Sequence, residues 1–166
     1  MPSQTAKELD QYYTKKSIAD LCVSWYREKV PINFHSDLIL EPSMGNGSFY
    51  NHINSLCKHK ICMDLDPKHF FGLKKDFLKF KLNHKVFYNK VHVIGNPPFK
   101  QITHFFAKAF LLGDFVGFIL PLSFKKDSVK NRIPLRLHCI FSKELPKKNN
   151  FSFENKTVSI PTVFQI

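Results

Sequence analysis

The sequence predicts an α/β protein built on an open, mostly parallel twisted sheet, with an antiparallel pair of strands at one edge. Three observations lead there. Leu38-Ile39-Leu40, Ile61-Cys62-Met63, Val91-His92-Val93-Ile94 and residues 115–120 are short apolar runs of the kind that form buried strands. Stretches with apolar residues at helical spacing lie between several of them. Glu41, Asp64, Asp76 and Asn96 each stand just after an apolar run. Those are strand ends, where open α/β sheets hold their ligands.

Each element has its own signal. Ile18, Leu21, Cys22, Trp25 and Tyr26 follow helical spacing, so 17–29 reads as an amphipathic helix with Thr14 or Ser17 near its cap. Pro31 stops it. The run at 38–40 ends at Glu41 and Pro42, the loop 43–47 follows, and a helix runs through Phe49, Ile53 and Leu56. The strand at 61–63 ends in Asp64, and the one at 91–94 ends at Gly95 and the turn Asn96-Pro97-Pro98-Phe99. A helix carrying Ile102, Phe105, Phe106, Ala109 and Phe110 leads into the strand at 115–120. Two more strands, around 135–141 and 157–166, have no helical pattern between them, and Pro146 with 147–150 reads as a turn. They are expected as an antiparallel hairpin at one edge.

With 166 residues, 43% of them hydrophobic, the chain suits one domain (1–166) and is too short for two. It carries 25 Lys+Arg against 13 Asp+Glu, a net charge of +12. That argues against an acidic regulator and for a polyanionic partner, nucleic acid first. Lys supplies 22 of those cations, and AT-rich coding produces such a composition by itself. The longest apolar run, 115–120, is far below the ~20 residues of a membrane helix. The first nine residues are polar and hold no signal core. A soluble, intracellular protein of cytoplasm or nucleus, with no membrane partner, is expected.

Cys22, Cys57, Cys62 and Cys139 contain no CxxC pair, so no disulfide framework is indicated. Cys57, His59 and Cys62 straddle a helix end and a strand start without a fourth ligand. The eight histidines form no HxH or HxxxH pair. No metal is expected.

Residues 41–49, Glu-Pro-Ser-Met-Gly-Asn-Gly-Ser-Phe, turn from a strand into a helix. Gly45 and Gly47 permit a tight turn and the close approach of a ligand. Asp64 follows Glu41 by 23 residues, at the end of the next strand, the place for a carboxylate that accepts both hydroxyls of a ribose. The third glycine of the dinucleotide fingerprint is missing, and Glu41 is an awkward neighbour for a pyrophosphate. A carboxylate there suits a ligand with a cationic end, such as the amino group and sulfonium of S-adenosylmethionine. Asp76-Phe77 can accept from adenine N6 and lay a ring on the purine. Among Lys74, Lys75, Lys79 and Lys81 it reads equally well as a solvated charged loop.

Asn96-Pro97-Pro98-Phe99 is the most specific signal. Two consecutive prolines fix φ and remove both N–H groups, so the carbonyls around them are held rigidly. The Asn96 amide oxygen and the Pro97 carbonyl can then accept both hydrogens of one planar amino group. Accepting them draws the nitrogen towards tetrahedral geometry and frees its lone pair. Phe99 is placed to stack on the ring bearing that amine.

The combination resembles the S-adenosylmethionine-dependent amino-methyltransferases that act on exocyclic amines, most nearly those of adenine N6, over about residues 10–166. The resemblance implies a Rossmann-like class I methyltransferase fold, with S-adenosyl-L-methionine as cofactor. Gln11-Tyr12-Tyr13-Thr14 looks like the family's N-terminal cofactor motif, which puts Tyr13 and Thr14 on the cofactor, Thr14 near its methionine end. Glu41, Pro42, Ser43, Gly45 and Gly47 match the cofactor loop, Asp64 the ribose acid, and Asp76-Phe77 the adenine contact. Asn96, Pro97, Pro98 and Phe99 match the catalytic turn, with Asn96 also beside the cofactor. Residues 118–124 match the strand that follows. Phe151 or Phe153 corresponds to a late aromatic that helps hold a flipped base. The motif order resembles the arrangement with any recognition domain at the C-terminus. The compact form resembles methyltransferases of large DNA viruses.

DNA-specific relatives carry a separate target recognition domain, and the 46 residues after Leu120 leave no room for one. The chain also ends inside an expected strand, as a clipped protein would. Substrate choice is therefore expected from the basic surface, from loop 125–132, or from another subunit in a homo- or hetero-oligomer. Methylation of adenine N6 in DNA is the first expectation, with the base extruded into the site and phosphates held by Lys and Arg. RNA adenine is the alternative, because a small domain without a recognition module suits structured or single-stranded substrates. Guanine N2 and protein glutamine share the motif, but Phe99 and the +12 charge favour a nucleobase. A catalytically idle, nucleic-acid-binding subunit is the competing class. Both the cofactor loop and the catalytic turn stand complete, and substituting Asn96 separates the two.

Overall fold

The computed structural model describes residues 12–83, 87–126, 138–153 and 156–166. In chain order the elements are β1 (Tyr13–Thr14), α1 (Lys16–Lys29), β2 (Leu38–Glu41), α2 (Tyr50–Ile53), β3 (His59–Asp64), β4 (Leu73–Lys74) and β5 (Val91–Gly95). Then come α3 (Ile102–Leu112), β6 (Phe115–Pro121), β7 (Ser142–Glu144), β8 (Phe151–Phe153), β9 (Lys156–Val158) and β10 (Thr162–Gln165). Seven strands form the main sheet in the order β4-β3-β2-β5-β6-β10-β7. The first five are mutually parallel, and β10 and β7 add an antiparallel edge. A smaller antiparallel sheet has the order β1-β8-β9.

The central strands are apolar throughout because both faces are covered. In β2, Ile39 packs into one core with Ile18, Cys22 and Tyr26 of α1. Leu38 and Leu40 point the other way, into a core with Phe105, Ala109 and Leu112 of α3. Gly117 marks the tightest approach on the α1 side. A Cβ there would stand 2.7 Å from the Tyr26 ring and 3.0 Å from Phe164.

A buried polar chain ties α1 to the amino ends of β2 and β5. The Tyr26 hydroxyl lies 3.0 Å from His92 Nδ1, and His92 Nε2 lies 3.1 Å from Asp37 Oδ2. Asp37 also accepts from the Asn33 and Lys90 amides. A neutral His92 satisfies the whole chain, donating to Asp37 and accepting from Tyr26. Burial is the main cause holding the His92 pKa below 6.5, against the pull of Asp37. The unfolded chain therefore takes up this proton first, so the contribution is whole above about pH 6.5 and is lost as pH falls. The urea midpoint should drop between pH 7.5 and 5.5. A His92→Gln variant, measured alongside, should show a shallower drop.

Several boundaries differ from the sequence expectation. The first helix is entered through Lys15, with no side-chain cap, while Thr14 lies in β1 rather than capping it. The helix expected through Phe49, Ile53 and Leu56 is one α-turn, Tyr50–Ile53, flanked by turns. Of the strand expected at 135–141, residues 135–137 lie outside the described residues and 138–141 form no strand; Ile140 and Phe141 hydrogen-bond to Ile166 through the backbone, and the strand proper begins at Ser142. The strand expected over 157–166 divides at Pro161, which cannot donate to a ladder. Its first part joins the small sheet and its second, β10, the large one. The edge pair is therefore β7 and β10, antiparallel as expected, with the β8–β9 hairpin inserted between them.

Candidate active site

The strand order brings residues that are distant in sequence into one row. Across β4-β3-β2-β5, the polar residues at or just beyond the carboxyl ends are Asp76, Asp64, Glu41 and Asn96. Beside them opens a cleft of about 350 Å³, within the range of small-molecule sites. Tyr13, Thr14, Pro42, Ser43, Gly45, Asp64, Asp76, Phe77, Asn96 and Pro98 line it.

Gly45 and Gly47 adopt φ of +53° and +80°, the left-handed region that the loop after β2 requires. A Cβ on Gly45 would lie 2.9 Å from the Tyr13 ring, so the loop passes directly beneath β1. The Gly45 amide donates to Asp64 Oδ2 at 2.8 Å and the Asp66 amide to Oδ1 at 2.9 Å. The Asp64 carboxylate is thus fixed at the cleft wall with lone pairs to spare. Asp76 caps the 3₁₀ turn Phe77–Lys79 by accepting from the Leu78 amide at 2.9 Å.

The small sheet completes the wall opposite. Pairing of Tyr13 with Ser152 and Thr14 with Phe151 holds β1 over the loop, and the Ser48 hydroxyl donates to the Thr14 carbonyl. Asn96 Nδ2 donates to the Tyr12 carbonyl at 3.2 Å, while its own carbonyl accepts from Ser43 Oγ at 2.8 Å. That leaves Asn96 Oδ1, a buried acceptor with no partner among the described residues. A native fold rarely leaves such an atom unused, so water or a ligand completes it.

Glu41 has the same character. It is 1% exposed, and Oε2 has no partner among the described residues. Burial pushes its pKa up to about 8; a Cys62 thiol hydrogen bond opposes the shift and the Asp64 charge adds to it.

Four expected site residues stand behind the lining. Glu41 lies under the loop beside Gly95, and Gly47 faces the His69 ring. Pro97 is buried, and Phe99 is half-buried between the two cores. Of the late aromatics, Phe151 is sealed in the core, whereas Phe153 packs on the cleft residue Tyr12 with ring centroids 5.1 Å apart. Loop 125–132 lies outside the described residues beyond Lys126. The sequence reading missed Leu65, Lys75, Lys100, Gln101 and Phe105 in the lining, and within loop 41–49 it assigned no role to Met44, Asn46, Ser48 or Phe49. Lys100 and Gln101 directly follow the Asn-Pro-Pro-Phe turn, a usable signal; Phe105 carries only core spacing. Among the described residues no three His, Cys, Asp or Glu side chains converge as a metal would require, and no helix is long and apolar enough to cross a membrane.

No protein-family model matches the sequence, and no curated protein does. Solved structures do. A protein described as a "putative RNA methyltransferase" from Pyrococcus horikoshii superposes with a TM-score of 0.71 at 20% identity, over 98% of this chain and 88% of that one. This chain has the methyltransferase fold. The 23S rRNA methyltransferase ErmE superposes on the same methyltransferase fold with a TM-score of 0.59 at 10% identity, covering 92% of this chain and 69% of that one. Thermoplasma acidophilum protein 1320 gives 0.63 at 16% identity, over 98% and 96%. At these identities the likeness is one of fold, so the methyltransferase fold is the Rossmann-like sheet with its antiparallel edge seen here.

Proposed function

We propose that the chain is an S-adenosylmethionine-dependent methyltransferase that acts on the N6 amino group of adenine in nucleic acid. The observation that carries this reading is Asn96, whose amide is oriented by Tyr12 so that Oδ1 is a buried acceptor without a donor. An exocyclic amine supplies the missing donor.

The residues present fit the cofactor. Asp64 offers lone pairs for ribose hydroxyls, Asp76 and Phe77 lie one strand further out for adenine, and the orphaned Glu41 carboxyl backs the loop where a cationic tail would lie. When bound, the cofactor supplies an electrophilic methyl group on a sulfonium. Asn96 Oδ1 and the Pro97 carbonyl accept the two amine hydrogens and leave the nitrogen lone pair free. No general base is needed first, because the amine sheds its proton after it has become cationic. Tyr12 lines the cleft and Phe153 packs on it, which supports this pair as the one that would hold the base.

DNA is the substrate expected from the sequence. The RNA reading has a specific observation in its favour: two of the superposing structures are named for RNA and rRNA methylation. The deciding experiment is transfer of labelled methyl to duplex DNA, single-stranded DNA and RNA, with the modified nucleoside identified after digestion. N6-methyladenine in one polymer is the expected result, and that polymer names the substrate. Cofactor binding without product in any polymer would favour the idle-subunit reading. Failure to bind the cofactor would overturn the proposal.

A further inference from the structure

We infer that Ser43 is a positioning residue for methyl transfer: its hydroxyl holds the peptide between Asn96 and Pro97 and so aims both acceptors of turn 96–99. The contact rests on geometry alone, and its consequence for rate rests on the methyl-transfer reading. Ser43 Oγ donates to the Asn96 main-chain carbonyl at 2.8 Å, across 53 positions of sequence. A serine in a strand-to-helix loop ordinarily bonds its own backbone a few residues away. Ser43 instead leaves its loop and reaches the turn that follows β5.

The strand order makes this reach possible. β2 and β5 are neighbours, with Leu40 paired to Val93, and beyond that pair their chains run on as two loops side by side. The loops touch closely, since a Cβ on Gly95 would lie 3.4 Å from Pro42 Cδ and 3.8 Å from Ser43 Oγ. Ser43 is half-buried at the cleft wall. Its one hydroxyl proton is spent on Asn96, which leaves it no donor for a bound cofactor.

The bonded peptide has a single handle. Pro97 has no N–H, so the Asn96 carbonyl is the one hydrogen-bonding group in that plane. The proline ring fixes φ at 97, so a rotation of the plane about the Asn96 Cα–C bond passes undamped to the Pro97 carbonyl. The same rotation shifts that carbonyl against the Asn96 side chain, whose Nδ2 bond to the Tyr12 carbonyl is the longer at 3.2 Å. Ser43 therefore sits at the pivot between the two acceptors that the amine needs, Asn96 Oδ1 and the Pro97 carbonyl. Misaiming them costs rate steeply, because a displacement of about 1 Å can cost on the order of 100-fold.

The test compares wild type with Ser43→Ala, Asn96→Ala and the double variant. Methyl transfer at saturating cofactor should fall about 10- to 100-fold in Ser43→Ala, while calorimetric cofactor affinity stays within a few-fold of wild type. On the Asn96→Ala background the same change should cost far less, because its route to the amine is already broken. A second readout needs no activity. The Asn96 side-chain amide signal in the NMR spectrum, identified by its absence from Asn96→Ala, should shift and lose order in Ser43→Ala, with the thermal midpoint near wild type. An unchanged amide signal, a transfer rate equal to wild type, a loss confined to cofactor affinity, or additive losses in the double variant would each overturn the inference. Should wild type transfer no methyl group to any nucleic acid, the methyl-transfer reading fails, and the amide signal alone decides whether Ser43 positions the turn.

Discussion

Asn96→Ala should lower the rate of methyl transfer by roughly 10²–10³-fold or more, the loss seen when one fixed polar contact to a developing charge is removed. Its affinity for the cofactor should stay within a few-fold of wild type. The reasoning rests on what Asn96 does not support. Its Oδ1 bonds to nothing among the described residues, so its removal leaves no native donor without a partner. Only the Nδ2 bond to the Tyr12 carbonyl is lost from the fold. Asn96→Asp is the informative companion, because it keeps an acceptor while placing an oxygen against the Tyr12 carbonyl. It should retain the fold and regain little activity. Single-turnover methyl transfer and calorimetric cofactor binding on the same preparations check this. Wild-type rates in Asn96→Ala would remove Asn96 from the chemistry altogether.

Glu41→Gln should stabilise the chain at alkaline pH while weakening its hold on a cationic cofactor. Burial raises the Glu41 pKa from 4.5 to about 8, so between those values the folded chain keeps a proton that the unfolded chain has released. Stability therefore falls as pH rises through that window. At about 1.4 kcal/mol per pKa unit, the penalty reaches on the order of 4 kcal/mol at pH 8. Glutamine has no charge to lose. Urea unfolding of both proteins at pH 5, 6.5 and 8 should show curves that diverge as pH rises. Cofactor affinity at pH 8 should move the opposite way, with the variant the weaker binder. Parallel pH profiles for the two proteins would mean that Glu41 is ionised in the folded state throughout.

The sheet was legible because its strands are covered on both faces, which turns each into an uninterrupted apolar run. Leu38 to Leu40 and Val91 to Ile94 carry that signature, and both are fully buried strands. The polar row was legible for a related reason, since a charged side chain at a buried strand's end has to be there for a ligand or a loop. The small sheet was hidden. β1 is two residues long and β8 and β9 three each, too short for alternation to register. The pairing of β1 with β8 joins residues nearly 140 positions apart, which no local pattern encodes. Asn150 shows how it is held: its side chain brackets Ile160 through both N–H and C=O, a contact set by tertiary closure alone. The depth of Glu41 was equally beyond the sequence, because a loop carboxylate reads the same whether it faces the ligand or lies beneath it.

Because the Asn96 amide is set by Tyr12, and Tyr12 precedes a strand that pairs with β8, the geometry at Asn96 is completed late in synthesis. During translation β2 to β6 can pair while β1 still has no partner, so a nascent chain can acquire its parallel strands before it acquires its site. Loop 41–49 and the turn 96–99 would then be present but unaligned with β1 until some 150 residues have emerged. A protease cut between β7 and β8 would loosen the same contact from the other side, leaving the Asn96 amide freer to turn.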